Sequence, residues 1–262
     1  MKASDNLNDV VNSVKYSIQE ALGFSAYHVL PKRNVVCLVS SMRAGSTLLK
    51  ALIGQAEDVS HLPEYDFSIL NSFSKNRAYY ILVKSIAEKH IILKRPRWFE
   101  DEDYPAAPPL DCQFIVLFRD AQEVVNSLMK RWPDLTKEQA IDYWCETYSS
   151  ILERLKYLPQ NKVCYTSYQD LLEDPKQTTA RLFKFMGSKQ TTGVSEYAFP
   201  NSGKWEWGKD DGSQNIFTMS VQNSKKERRT QPDTDSFGAH AIAVQKLNEQ
   251  YDRLIQQSRN LF

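Results

Sequence analysis

The sequence is poor in the residues that build metal centres and covalent frameworks. It has four cysteines in 262 residues. Cys37, Cys112, Cys145 and Cys164 lie far apart, three of them in or beside apolar strand-like runs, and no two have metal-ligand spacing. They read as reduced packing residues. The four histidines show no HExxH or other paired spacing, so a zinc site has no ligand set and no metal is expected. No apolar stretch approaches the roughly 18 residues that a membrane span requires. The polar N-terminus also lacks the compact apolar core of a secretory signal, so the expectation is a soluble, cytoplasmic protein without a membrane partner. Charge of one sign is missing too. With 33 basic and 32 acidic residues the net charge is +1, and no global field recruits nucleic acid or anionic lipid. Any anion site has to be local.

With 42% hydrophobic residues the chain is long enough to bury one sizeable core. Its most informative stretch is Val-Val-Cys-Leu-Val-Ser-Ser-Met-Arg-Ala-Gly-Ser-Thr-Leu-Leu, residues 35–49. The apolar run 35–39 is a buried strand, 40–45 a tight turn, and 46–55 has helical apolar spacing. Orphan amides at the start of that helix, together with its dipole, favour an anion. Gly45 permits close backbone approach, Ser46 and Thr47 add hydroxyls, and Arg43 can make bidentate contacts to a phosphate or sulfate. The first Gly and the Lys of the common nucleoside triphosphate loop are missing, which makes magnesium-dependent phosphoryl transfer the weaker expectation.

Strand patterns recur at 90–93, 113–118 and 162–166, and helical patterns fill 67–88, 121–132, 136–158 and 175–186 between and after them. The first 24 residues form an amphipathic helix, with Leu7, Val10, Val11, Val14, Ile18 and Leu22 at helical spacing and Gly23 as its stop. Alternation of this kind predicts an α/β fold, a P-loop-like three-layer sandwich whose central, mostly parallel sheet has helices on both faces. A single domain over 1–262 is expected. Residues 188–237 form a long loop or lid region and a final helix covers 239–258. Ligands of such sheets bind beyond the carboxyl ends of the strands, where 40–45, Arg119 and Asp120 would sit. Ser127, eight residues beyond Arg119 on the following helix, is placed to face the same ligand, a second anionic group. The plain alternative pairs Arg119 with Asp120 or Glu123 and leaves Ser127 on the helix surface.

On these residues the chain resembles the sulfotransferases that use 3′-phosphoadenosine-5′-phosphosulfate, and it is most similar to their soluble bacterial members. Ser-Met-Arg-Ala-Gly-Ser-Thr-Leu-Leu, residues 41–49, is similar to their 5′-phosphosulfate loop. Phe-Arg-Asp-Ala-Gln-Glu-Val-Val-Asn-Ser-Leu, residues 118–128, is similar to their 3′-phosphate motif. Tyr-Gln-Asp-Leu-Leu-Glu-Asp-Pro at 168–175 and Lys-Trp-Glu-Trp-Gly-Lys-Asp-Asp-Gly at 204–212 match two further segments in family order. The resemblance implies that Arg43, Ala44, Gly45, Ser46, Thr47 and Leu48 hold the phosphosulfate and that Arg119 and Ser127 hold the 3′-phosphate. It further implies that Tyr168 contacts adenine. The family's late Arg-Lys-Gly is absent, although Lys225, Lys226, Arg228 and Arg229 could provide a basic lid over the same 3′-phosphate, the plain alternative being a solvated loop.

Departures are equally specific. Leu48 stands where eukaryotic cytosolic members have an adenine-stacking tryptophan, and Lys94-Arg95-Pro96 replaces their Lys-Thr-His, which removes the usual base. Lys94 matches the family lysine that touches the transferring group, its plain alternative being a surface lysine. The base is expected in the segment 61–67, with Glu64 first and His61 second; a desolvated carboxylate there would titrate high enough to serve. Tyr65, Phe67, Tyr79, Tyr80, Trp98, Trp205 and Trp207 supply candidate walls for a small-molecule, natural-product or glycan acceptor. A P-loop kinase or phosphotransferase using Asp120 for magnesium, and a non-catalytic nucleotide-binding protein on the same scaffold, remain the competing readings at this point.

Overall fold

A computed structural model describes residues 2–60, 74–95, 111–198, 218, 220–221 and 234–262. Four strands, β1 (Asn34–Ser40), β2 (His90–Arg95), β3 (Cys112–Phe118) and β4 (Val163–Ser167), form one sheet in the order β2-β1-β3-β4. Every pairing is parallel. Eight α-helices accompany the described sheet: α1 (Lys2–Val29), α2 (Ser46–Ile53), α3 (Lys75–Ser85), α4 (Ala121–Arg131), α5 (Lys137–Leu155), α6 (Tyr168–Glu173), α7 (Pro175–Met186) and α8 (Ala241–Leu261).

Strand alternation sorts the core into two layers. Val35, Cys37 and Val39 of β1, with Phe114, Val116 and Phe118 of β3, pack with side chains of α3, α4, α5 and α8. Val36 and Leu38, with Ile115 and Leu117, pack on the other face with α2 and α7. A sheet buried on both faces needs unbroken apolar strands, and this is why its strands could be read as short apolar runs. The four cysteines are free thiols. Burial pushes Cys145 up to about 11 and Cys164 up to about 12, which suits packing rather than nucleophilic chemistry.

The connection from β1 leads to β2 on one side, whereas that from β3 leads to β4 on the other. The two connections diverge at the carboxyl ends of β1 and β3, a topological switch point where open parallel sheets hold ligands. Tyr165 N–H, on the outer strand β4, donates to the hydroxyl of Ser258 on α8 at 2.9 Å, so that helix shields part of the sheet edge.

Two boundaries differ from the sequence expectation. Gly23 does not stop the first helix, which runs through it to Val29. It is a crossing point instead: a β-carbon there would lie 1.9 Å from the carbonyl oxygen of Asn76 on α3. The closing helix is Ala241–Leu261, preceded by a 3-10 stretch over Thr234–His240.

Candidate active site

The loop after β1 turns through two left-handed residues, Arg43 at φ 64° and Gly45 at φ 92°. Left-handed residues in a turn direct successive amides toward one concave side, the backbone form of an anion nest. α2 then begins with Gly45 as its N-cap, no side-chain cap and no acidic residue in its first turn. Its ladder starts with Leu49 N–H donating to the Gly45 carbonyl at 3.1 Å, so the amides of residues 46–48 precede it. Ala44, Ser46 and Thr47 are buried. A buried, uncapped helix start in a left-handed turn is chemically suited to a phosphate or sulfate group.

Cationic side chains from three strand ends converge on this turn. Arg43 Nε donates to Ser127 Oγ on α4 at 3.1 Å. Arg119, directly after β3, donates from Nη1 to the Arg43 carbonyl at 2.7 Å and from Nε to Glu123 Oε2 at 2.7 Å. Its remaining nitrogen makes no hydrogen bond among the described residues. Lys94, near the end of β2, is 7% exposed and donates to Thr47 Oγ1 at 2.8 Å. It is therefore buried against the turn and is not the surface lysine of the plain alternative. The Tyr168 ring lies beneath both loops. The Arg119 guanidinium stacks 4.1 Å from its centroid, and a β-carbon at Gly45 would fall 2.4 Å from its Cε2.

These contacts assemble Arg43, Ala44, Gly45, Ser46, Thr47, Lys94, Arg119, Ser127 and Tyr168 at one end of the sheet. The plain pairing of Arg119 with Glu123 is present as well: the carboxylate takes Nε, the Arg43 carbonyl takes Nη1, and Nη2 is the nitrogen without a hydrogen bond among the described residues. Ser127 accepts from Arg43 and is not turned away. Leu48 packs into the second core layer. Asp120, the one magnesium candidate, caps α4 by accepting from Gln122 N–H at 2.8 Å. Tyr79 is core, packed edge-on to Tyr27 with centroids 5.2 Å apart. Glu64, His61, Lys225 and Arg228, like Tyr65, Phe67, Trp98, Trp205 and Trp207, lie outside the described residues.

Supporting residues on α5 were not anticipated. Tyr143 hydroxyl accepts from Met42 N–H at 2.9 Å, and Trp144 Nε1 donates to the Arg119 carbonyl at 3.0 Å. Tyr148 hydroxyl accepts from Ser41 Oγ at 3.2 Å and from Arg119 N–H at 3.0 Å, while donating to the Leu117 carbonyl at 3.1 Å. Burial pushes that phenol up to about 12, so it stays protonated and can both donate and accept. In sequence these aromatics carry only the signature of an apolar helix face, and nothing marks their polar ends as tethers.

Comparison with known proteins agrees with this chemistry. The sulfotransferase domain family model matches residues 33–236, and the chain belongs to that family of enzymes. Among solved structures, the sulfotransferase domain of the olefin synthase of Synechococcus PCC 7002 superposes with a TM-score of 0.59 at 17% identity, over 85% of this chain and 96% of that one. A sulfotransferase domain from the curacin biosynthetic pathway gives 0.52 at 16% identity, over 84% and 98%. At such identities the likeness speaks for a shared fold. No curated protein sequence matches the chain.

Proposed function

We propose that this sulfotransferase is a single-domain enzyme over residues 1–262 that takes its sulfuryl group from 3′-phosphoadenosine-5′-phosphosulfate. The acceptor is a hydroxyl or amine of a small molecule, natural product or glycan. The observation that carries the reading is the uncapped start of α2, buried within a turn that Arg43, Lys94 and Arg119 approach from three strand ends. Bound there, the nucleotide supplies an activated sulfuryl group whose leaving phosphate gains negative charge as the bond breaks.

The proposed roles divide among the described residues and the segments expected to complete the site. The turn amides with Arg43 and Thr47 neutralise charge on the leaving phosphate, where preorganised donors act most strongly. Lys94 directs its ammonium at the same hydroxyl that lines the turn and steadies the transferring oxygens. Arg119 and Ser127 hold the 3′-phosphate, and Tyr168 fixes the height of the base above the loop. Lys225 and Arg228 are the candidates for a basic lid over the 3′-phosphate. Little covalent work falls to the protein; it aligns the reactants and supplies charge. Glu64 accepts the acceptor proton, with His61 as the alternative base.

Calorimetric titration with 3′-phosphoadenosine-5′-phosphate beside ATP and magnesium tests the assignment. Tight binding of the first and weak binding of the second is the expected result, and the reverse preference overturns it in favour of a phosphotransferase. Glu64→Gln should bind the nucleotide normally and lose about a hundredfold or more in turnover. Full turnover in that variant would move the base to His61.

A further inference from the structure

The leading helix α1 packs inward through one face. Tyr16 lies beneath the Arg77 guanidinium at 3.6 Å, Gln19 accepts from Arg77 Nε at 2.8 Å, and Glu20 accepts from the Ser74 hydroxyl. Gly23 abuts the Asn76 backbone, and Tyr27 meets Tyr79 and Lys75. At about 100° per residue these positions share one side of the helix.

Its apolar stripe lies on the other side. Val11, Val14, Ile18, Leu22 and Val29 are 56%, 55%, 54%, 47% and 80% exposed, with Val10 at 59% on the border. A helix whose hydrophobic face turns away from its own core has that face left to cover. Together these side chains offer on the order of 600 Å² per chain, at the upper end of patches found on monomers and near the roughly 800 Å² that each partner buries in a stable interface. The stripe also lies before residue 33, where the sulfotransferase match begins, so the chemistry of that domain does not account for it.

We infer that this stripe pairs with the same stripe of a second copy of the chain. Steps of three, four, four and seven residues from Val11 to Val29 are the spacing of a helix-pairing seam, and β-branched side chains dominate it. Charge selects the occupant. Residues 10–29 contain two charged side chains, Lys15 and Glu20, and Glu20 is engaged with Ser74 on the inner face. One lysine beside the stripe gives little hold on an acidic lipid surface, which calls for a cation-rich polar face. Like stripe on like stripe is an isologous, closed two-fold contact.

Sedimentation velocity on the full chain at tens of micromolar tests the pairing. The expected result is a dimer that the double substitution Val14→Glu with Ile18→Glu converts to a monomer, weakening self-association by on the order of a hundredfold or more while the native circular-dichroism spectrum is retained. Because both side chains are exposed, loss of the fold is not expected. A monomeric wild-type chain overturns the inference, as does a double variant that remains dimeric. Monomers that bind acidic phospholipid vesicles through Val14 and Ile18 would replace it with a membrane contact.

Discussion

The β1–α2 and β3–α4 corners leave adjacent parallel strands at one end of the sheet, and each must satisfy the first amides of a helix. The β3–α4 corner does so from within: Asp120 accepts from Gln122 N–H. Ser74, Thr136, Ser167 and Asp174 likewise cap α3, α5, α6 and α7. The β1–α2 corner has Gly45 and no side-chain cap, although its first turn is buried. A helix start that the chain caps itself is a matter of stability. One that is left uncapped beside Arg43 and Arg119 is suited to an anion.

The sharpest way to break this contrast is to fill the space that the glycine leaves. Gly45→Ala places a β-carbon against the Tyr168 ring and adds about 1–2 kcal/mol for a left-handed backbone. Calorimetry should then detect no 3′-phosphoadenosine-5′-phosphate binding, and retained affinity would show that the turn does not face the ligand. Arg43→Ala and Arg119→Ala come next. Each should weaken that binding by about 2 kcal/mol, roughly thirtyfold, as the loss of a charge-assisted contact predicts. Asp120→Ala sharpens the comparison from the other corner. It should lower unfolding stability by about 1 kcal/mol, as for a lost cap, and leave nucleotide affinity close to wild type.

The smallest effect belongs to the opposite end of the same strands. Buried His90 has Asn34 Nδ2 3.0 Å from its Nδ1 and the Asp58 carboxylate 3.5 Å from its Nε2. Burial lowers its pKa despite that carboxylate. The unfolded chain therefore takes up a proton at His90 more readily than the native one. Stability from this site is complete above about pH 6.5 and declines as pH falls toward the lower native value, with a slope of at most about 1.4 kcal/mol per pH unit. Denaturant titrations from pH 8 to 5 should show that slope, and His90→Gln should flatten it. Asp58 acts in a separate, more acidic window. Burial would raise its pKa, but bonds from Ser188 and the Lys189 amide, with the charge of His90, hold it low. Its contribution is present above about pH 3.9 and is lost as pH falls through its native value.

Much of this was legible in the sequence because it depends on local chemistry. Unbroken apolar runs marked the four strands, and helix α7 was bounded to the residue by Pro175 and Gly187. The loops bearing Arg43 and Arg119 were legible for the same reason: the residues suited to an anion sit next to the turn that exposes them. Gly23 misled because a small residue ends some helices and permits close crossing in others, and only the presence of α3 decides between the two. The Tyr148 tether could not be read, since its partners lie 29 and 107 positions away. The short helix α6 was hidden within a motif recognised for its tyrosine.

That tether has a consequence for which nucleotides fit. One phenol oxygen meets the loop of Arg43 through Ser41 and the loop of Arg119 through its amide. Tyr251 on α8 anchors the same residue by donating to the Tyr148 carbonyl at 2.9 Å, and its ring stacks on Phe118 with centroids 4.6 Å apart. The span between the two arginine loops is thus set by an aromatic column rooted in the last helix, while the loops themselves only carry the donors. On the proposed reading the enzyme works as a fixed gauge: it measures the distance between two anionic groups, and a molecule with the right charges at the wrong separation can satisfy one jaw but not both.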